Sequence, residues 1–347
     1  MEVLALTALG QLEYQNRSIP NPNAQEVLVK IKAAGICGSD IPRTFTTGAY
    51  HFPLVLGHEF SGVIEKVGDG VDSSIIGKKV AIFPLIPCNK CIFCAEKYYA
   101  RCTNYSYFGS RRDGAFSEYV VVPTFNLIFL EDDADVVASA MIEPAAVALH
   151  AIRNAHLDLN DNVVIYGAGP IGIMIARWAY LYGANKVFLI DIDQRKIDFC
   201  SSLGFKYVCN SKTEDPIKWI MEHTNGIGGN VCIEGTGFSD GINNTLMSCA
   251  IMGKVIILGN PHENITITRK TYDSFMRKEA TLKGTFNSVY KKYPHDEWSE
   301  AAQAIYEGRL KVDDLISHKV NLKKLKDMFY VIKEGKEFTC KVMCVNN

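Results

Sequence analysis

Residues 162–192 read NVVIYGAGPIGIMIARWAYLYGANKVFLIDI. The opening NVVIYG is a short apolar run rich in β-branched residues, the composition of a parallel strand buried on both faces. It leads into Gly167-x-Gly169-x-x-Gly172, then an apolar helical stretch to about Tyr182, Gly183 as a stop, and KVFLID as a second buried strand. A lone glycine triplet carries little weight, but here strand, helix, second strand and closing acid stand together. Gly167 allows the tight turn, Gly169 lets backbone approach a pyrophosphate, and Gly172 lets the helix pack close to the strand. Pro170 and Ile171, inside the triplet, belong to the same expected cofactor contact. Asp191 ends the second strand, 19 residues past Gly172. A carboxylate there accepts hydrogen bonds from a ribose 2′-hydroxyl and repels a 2′-phosphate, which predicts NAD over NADP. Arg195 and Lys196 follow closely and weaken that preference.

Beyond this unit the alternation continues. KYVCN, NVCIEGTG, KVIILGN and ATLKGTF read as further strands, with helical segments near 214–224 and 240–250. The spacing predicts a doubly wound parallel sheet in an NAD-binding domain spanning 150–295. The first 145 residues differ, with short strands and turns at PNPNAQ and VGDGVD. They predict a β-rich domain over 1–149, onto which the helix and strand patterns of 296–347 pack back. The fold class is α/β.

At 347 residues the chain is long enough for two domains. A net charge of −1 gives no reason to expect nucleic acid or an anionic membrane as partner. The N-terminal MEVLALTALGQLEYQ has no basic n-region, and no apolar run reaches the ~18–20 residues of a membrane span. A cytoplasmic protein is expected. Eleven cysteines in that setting speak against a disulfide framework. Six of them (Cys200, Cys209, Cys232, Cys249, Cys340, Cys344) lie scattered in apolar surroundings, as small buried hydrophobes do.

The other cysteine pattern is different. Residues 86–102, IPCNKCIFCAEKYYARC, hold Cys88, Cys91, Cys94 and Cys102 in the spacing C-x2-C-x2-C-x7-C. A redox pair needs only two thiols, and the bacterial iron–sulfur run ends C-x3-C-P. Four thiolates on one tight loop suit a closed, tetrahedral zinc site, which leaves no position open for chemistry. The chemistry is therefore expected elsewhere.

GICGSDIPR contributes Cys37, LGHEFSG contributes His58 and Glu59, and IEPAAVALHA places Glu143 at the start of a helical run. With DGAFSEY, GAGPIG and RKEATLKG, these segments stand in an order that resembles the zinc-dependent medium-chain dehydrogenase/reductase family, polyol dehydrogenase branch. The resemblance covers nearly the whole chain. It implies a GroES-like catalytic domain beside the Rossmann domain, two zinc ions per chain, and a homodimer or homotetramer. It also implies that Cys37, His58 and Glu143 hold a catalytic zinc, with Glu59 beside it or exchanging onto it. Ser39 matches the family's relay hydroxyl. Many relatives carry a histidine three residues further on, where this chain has Pro42. The proton then leaves through the cofactor ribose, water or Glu59.

The activity implied is NAD-linked oxidation of a secondary alcohol to a ketone. A carboxylate at Glu143, where simple alcohol dehydrogenases have cysteine, points toward sugar alcohols. Arg43, Arg111 and Arg112 would suit a substrate phosphate, because guanidinium forks match phosphate geometry. Solvation, salt bridges or cofactor contact are the other uses open to them. Similar scaffolds act on sorbitol, xylitol, L-threonine and butanediol, and one fold does not fix one substrate. A non-catalytic zinc- and NAD-binding role would be marked by a missing ligand, and none is missing.

Overall fold

A computed structural model describes residues 1–261 and 263–346. The chain forms two compact units: Met1–Ala146 together with the segment from Val289 onward, and Val147–Ser288.

The first unit is organised around the strand Glu26–Gly35. Its run of valine, leucine and isoleucine is buried along most of its length. It pairs antiparallel with Glu59–Val67, Tyr119–Pro123 and Lys341–Val345. Lys79–Ile82 and Leu127–Phe129 extend the sheet on one side, and Ile316–Val320 on the other. A smaller sheet orders Gln11–Asn16, Glu2–Ala8 and Leu54–Val55. Phe60, Phe108, Phe116 and Phe329 lie in the core of this unit, all at most 1% exposed. The C-terminal patterns do pack back. The strand Lys341–Val345 joins the sheet directly beside Glu26–Gly35, placing Met343 opposite Gly35.

Gly35 is opposed on its other side by Glu59. A Cβ at position 35 would run into the Glu59 carboxylate and touch the Lys341 stem. Only glycine leaves room for the two side chains to meet over this strand.

The second unit is the expected parallel sheet. Its order is Tyr207–Asn210, Lys186–Asp191, Asn162–Tyr166, Gly229–Glu234, Cys249–Ile257, Thr281–Gly284, which is the 3-2-1-4-5-6 order of a dinucleotide-binding fold. Valine and isoleucine on the inner strands are buried, as strands covered on both faces require. Helices Pro170–Leu181, Pro216–His223 and Ser239–Ser248 follow the expected positions. Asp215 accepts hydrogen bonds from the Ile217 and Lys218 backbone N–H groups, and Pro216 occupies the first helical turn. The helix Arg269–Arg277 was not expected from the sequence. Its side chains are mostly exposed, with Thr271 buried and Phe275 packed against the core of this unit; Tyr272, Phe275 and Met276 form a short apolar stripe set among charged residues.

Gly35→Ala is expected to cost about 1–3 kcal/mol through overpacking at the Glu59–Lys341 contact. A lowered urea midpoint with unchanged slope measures it, and an unchanged midpoint would refute the steric argument.

Candidate zinc and dinucleotide sites

Cys37 lies just beyond the end of Glu26–Gly35, and His58 immediately precedes Glu59–Val67. The pairing of these two strands therefore brings distant residues to one corner. The ligand atoms of Cys37, His58 and Glu59 lie within 4.8 Å of one another. Glu143, in the first turn of the helix Ile142–Ala155, is buried beside them and feels the charges of His58, Glu59 and Lys341. The tight group thus takes in Glu59 rather than Glu143.

Each of these groups has a partner that fixes it. Asp40, fully buried, accepts a hydrogen bond from the Cys37 backbone N–H at 3.0 Å and sits 3.7 Å from His58 Nδ1. At that distance the contact is electrostatic, and Nδ1 makes no hydrogen bond. Arg43 pairs with the same Asp40 at 3.3 Å. Lys341, only 3% exposed, lies 2.5 Å from Glu59 and also donates to the Ile36 carbonyl. The Tyr107 hydroxyl donates to Glu143 Oε1 at 3.3 Å, and its ring stands edge-on to His58 at 5.8 Å. The Ser39 hydroxyl donates to Cys37 Sγ at 3.3 Å.

The electrostatics favour a cation. Burial pushes Glu143 up to about 7, partly offset by His58. Burial alone would lower His58, yet the charges of Asp40 and Cys37 raise it to about 10. Burial and the neighbouring Glu143 hold the Tyr107 phenol well above its usual range, so it remains a neutral donor. Four acidic groups (Cys37, Asp40, Glu59, Glu143) face two permanent cations (Arg43, Lys341). The sulfur–imidazole–carboxylate set suits zinc.

Tyr107, Asp40 and Lys341 escaped the sequence reading. Asp40 had a local signal, since GICGSD places it three residues after Cys37. Lys341 lies 282 residues from Glu59 and had none.

Cys88, Cys91, Cys94 and Cys102 form a second group within 4.8 Å. The Cys91–Cys94 and Cys88–Cys94 sulfurs are 3.5 and 3.9 Å apart. Four ligands about 2.3 Å from a tetrahedral zinc stand roughly 3.8 Å from each other, so the spacing fits. Backbone N–H groups point at the sulfurs, from Cys88 to Cys102 and from Lys90 to Cys88. Such donors, led by the Thr103 backbone, draw the Cys91 thiol down to about 6. All eleven cysteines are free thiols.

In the second unit Gly167 takes a φ of +106°, which side chains other than glycine avoid. Gly169 caps the helix Pro170–Leu181, with Pro170 at its first turn and Ile171 and Gly172 following. A Cβ on Gly172 would run into the Gly167 carbonyl. Asp191 is held by the Ala168, Ile192 and Asp193 backbone N–H groups at 2.8–3.0 Å and by Lys196 at 3.1 Å. Arg195 is paired with Asp193 at 2.6 Å.

The remaining three arginines part ways. Arg43 is committed to Asp40, as above. Arg112 lies over the Phe108 ring at 4.9 Å and lines a cavity of about 390 Å³ with Arg17 and Asp113. Arg111 lies between the rings of Tyr50 and Tyr105.

Residues 23–132 match the alcohol dehydrogenase GroES-like domain, and residues 170–307 match the zinc-binding dehydrogenase domain. The galactitol 1-phosphate 5-dehydrogenase of Escherichia coli K12 is 36% identical over 296 residues, 85% of each chain. The chain belongs to the zinc-dependent polyol dehydrogenases. A crystal structure of galactitol-1-phosphate dehydrogenase from Escherichia coli covers 100% of both chains, with a TM-score of 0.93 and 33% identity. Two further solved relatives show the cofactor class. A zinc-binding dehydrogenase from Sinorhizobium meliloti 1021 is bound to NADP (TM-score 0.91, 26% identity, 99% of both chains). An alcohol dehydrogenase from Escherichia coli CFT073 is complexed with NADH (TM-score 0.90, 27% identity, 100% and 99%). The chain is thus a zinc-containing, NAD(P)-dependent alcohol/polyol dehydrogenase. No described helix is long and apolar enough to cross a membrane.

Metal analysis of the purified protein should return about two zinc per chain. Cys37→Ser should bring this to about one with the fold retained, whereas Cys91→Ser should lose zinc and solubility together. Full zinc content in Cys37→Ser would remove that residue from the ligand set.

Proposed function

We propose that this dehydrogenase oxidises a secondary alcohol of a sugar alcohol phosphate, of the galactitol 1-phosphate type, to the ketose phosphate with NAD. The observation that carries the reading is the buried donor set of one thiolate, one imidazole and two carboxylates. The likeness to the galactitol enzyme supplies the substrate class. When bound, zinc supplies a Lewis acid for the alcohol oxygen and NAD a hydride acceptor.

The chain's own residues would do the rest. Cys37, His58 and Glu143 would hold the metal, with Glu59 either beside it or exchanging onto it. Asp40 stands beside His58, and Tyr107 holds Glu143 by one oxygen. Ser39, whose hydroxyl donates to the Cys37 sulfur, would take the proton from the substrate hydroxyl. Pro42 has no group to pass it on, so the proton leaves through the cofactor ribose, water or Glu59. Lys341 pairs with Glu59 and fixes the position of that carboxylate. Gly167, Gly169, Pro170, Ile171 and Gly172 would form the pyrophosphate cradle. Asp191, already oriented by three backbone donors, would take the ribose hydroxyls and disfavour a 2′-phosphate. None of the eleven cysteines is in a disulfide, which suits a reducing compartment, so we place the protein in the cytoplasm, as a homodimer or homotetramer.

NAD reduction followed by absorbance, with galactitol 1-phosphate and galactitol as paired substrates, tests the reading. A kcat/KM ratio of about 100 or more in favour of the phosphate is expected. Equal rates, or faster turnover of sorbitol, xylitol, L-threonine or butanediol, would replace it with a general polyol or alcohol dehydrogenase. Asp191→Ala should raise the NADP-to-NAD ratio of kcat/KM by about tenfold or more. An unmoved ratio would remove Asp191 from cofactor choice.

A further inference from the structure

We infer that Arg111, clamped between Tyr50 and Tyr105, is the single arginine that recognises the substrate's phosphate monoester, while Arg43 and Arg112 serve elsewhere. The inference rests on the polyol phosphate reading above and narrows it to one side chain.

The three arginines differ in what already occupies them. Arg43 neutralises a fully buried carboxylate, Asp40, which in turn supports Cys37 and His58. Swinging Arg43 toward a substrate would strand that buried charge, a cost a phosphate contact would have to repay first. Arg112 follows Arg111 directly, yet its guanidinium lies on Phe108, a core residue with no exposed surface, and beside the cavity shared with Arg17 and Asp113.

Arg111 has neither commitment. Among the described residues no carboxylate pairs with it. Its guanidinium carbon stands 4.7 Å from the Tyr50 ring centre and 4.3 Å from that of Tyr105. Its hydrogen bonds go to neutral acceptors at long range, the Tyr105 carbonyl at 3.3 Å and the Tyr50 hydroxyl at 3.5 Å. The charge is therefore held in place without being cancelled. Ring faces above and below stiffen the guanidinium plane and leave its N–H edges as the route for an acceptor. A monoester dianion meets that edge with two parallel hydrogen bonds, which a hydroxyl cannot do.

Its location fits as well. The Tyr105 ring contacts that of Tyr107 at 6.3 Å, and Tyr107 contacts His58 at 5.8 Å. A row of aromatic rings thus joins the exposed guanidinium to the metal-binding corner. A hexitol 1-phosphate oxidised at C5 carries its phosphate four carbon–carbon bonds from the reacting carbon. The hydroxyl end would sit at Cys37 and His58 and the phosphate end at Arg111, along that row.

The test uses the zinc-loaded enzyme with NAD, measuring kcat/KM for galactitol 1-phosphate and galactitol in wild type, Arg111→Gln, Arg111→Lys and Arg112→Gln. Inorganic phosphate is added as a competitor in each. The phosphate-to-free ratio should fall about 100-fold in Arg111→Gln and about tenfold in Arg111→Lys, which keeps the charge but loses the fork. It should stay within about threefold in Arg112→Gln. Competition by inorganic phosphate should weaken only in the Arg111 variants. A wild type that prefers the phosphate while Arg111→Gln keeps the preference overturns the assignment to Arg111 and leaves the substrate class standing. A wild type without preference overturns the substrate class and this inference with it.

Discussion

The metal-binding corner of the first unit rests on a concentration of acidic groups, three of them buried (Asp40, Glu59, Glu143) and one partly buried (Cys37). Cys37, Asp40, Glu59 and Glu143 converge where two strands end and a helix begins, and each is buried or nearly so. Isolated, any one of these charges would cost several kcal/mol to bury. They persist because each is answered: Cys37 by the Ser39 hydroxyl, Asp40 by Arg43 and a backbone N–H, Glu59 by Lys341, Glu143 by Tyr107. What is left unanswered is the room for a divalent cation. The sheet register, the glycine at position 35 and the return of the C-terminal strand all serve to hold that arrangement closed.

The division of labour between the two cysteine-rich features follows from the same electrostatics. In the four-cysteine loop, identical sulfurs are presented at spacings that fill a tetrahedron, with backbone N–H groups pointed at them. Such a site has no vacancy for substrate and acts as a staple. At Cys37 the donors are mixed, and the carboxylates have partners of their own on one oxygen. A mixed and partly tethered set is what lets a metal keep one position for an incoming oxygen.

How much of this could be read from the sequence depends on how local the signal is. The dinucleotide loop was legible because its glycines, helix start and terminal acid lie within one βαβ unit, and sterics dictate each position. The four cysteines were legible for the same reason. Cys37, His58 and Glu143 were legible only as an ordered pattern of segments, since nothing in their spacing says they meet. The pattern did not say that Glu59 would crowd closest to the pair. Tyr107 stands 36 residues from Glu143 and Lys341 stands 282 from Glu59, so no periodicity could link them. The divergence of Arg111 and Arg112 was equally hidden, because a loop has no repeat that assigns alternate residues to opposite sides. The helix Arg269–Arg277 does carry the helical spacing, in Tyr272, Phe275 and Met276, but the stripe is only three residues long and only Phe275 of it packs against the core.

The lysine that answers Glu59 comes from the far end of the chain, and this sets an order of events during synthesis. At about 5–20 residues per second, a ribosome that has made Cys37 needs on the order of tens of seconds to reach Lys341. In that interval the strand Glu26–Gly35 has one flank open, and the unit Val147–Ser288 emerges and can close while its host is still unfinished. A metal arriving early would meet the four acidic groups before their deepest cation is in place. Insertion of the strand Lys341–Val345 closes that flank of Glu26–Gly35 and, in the same act, brings the Lys341 ammonium to Glu59.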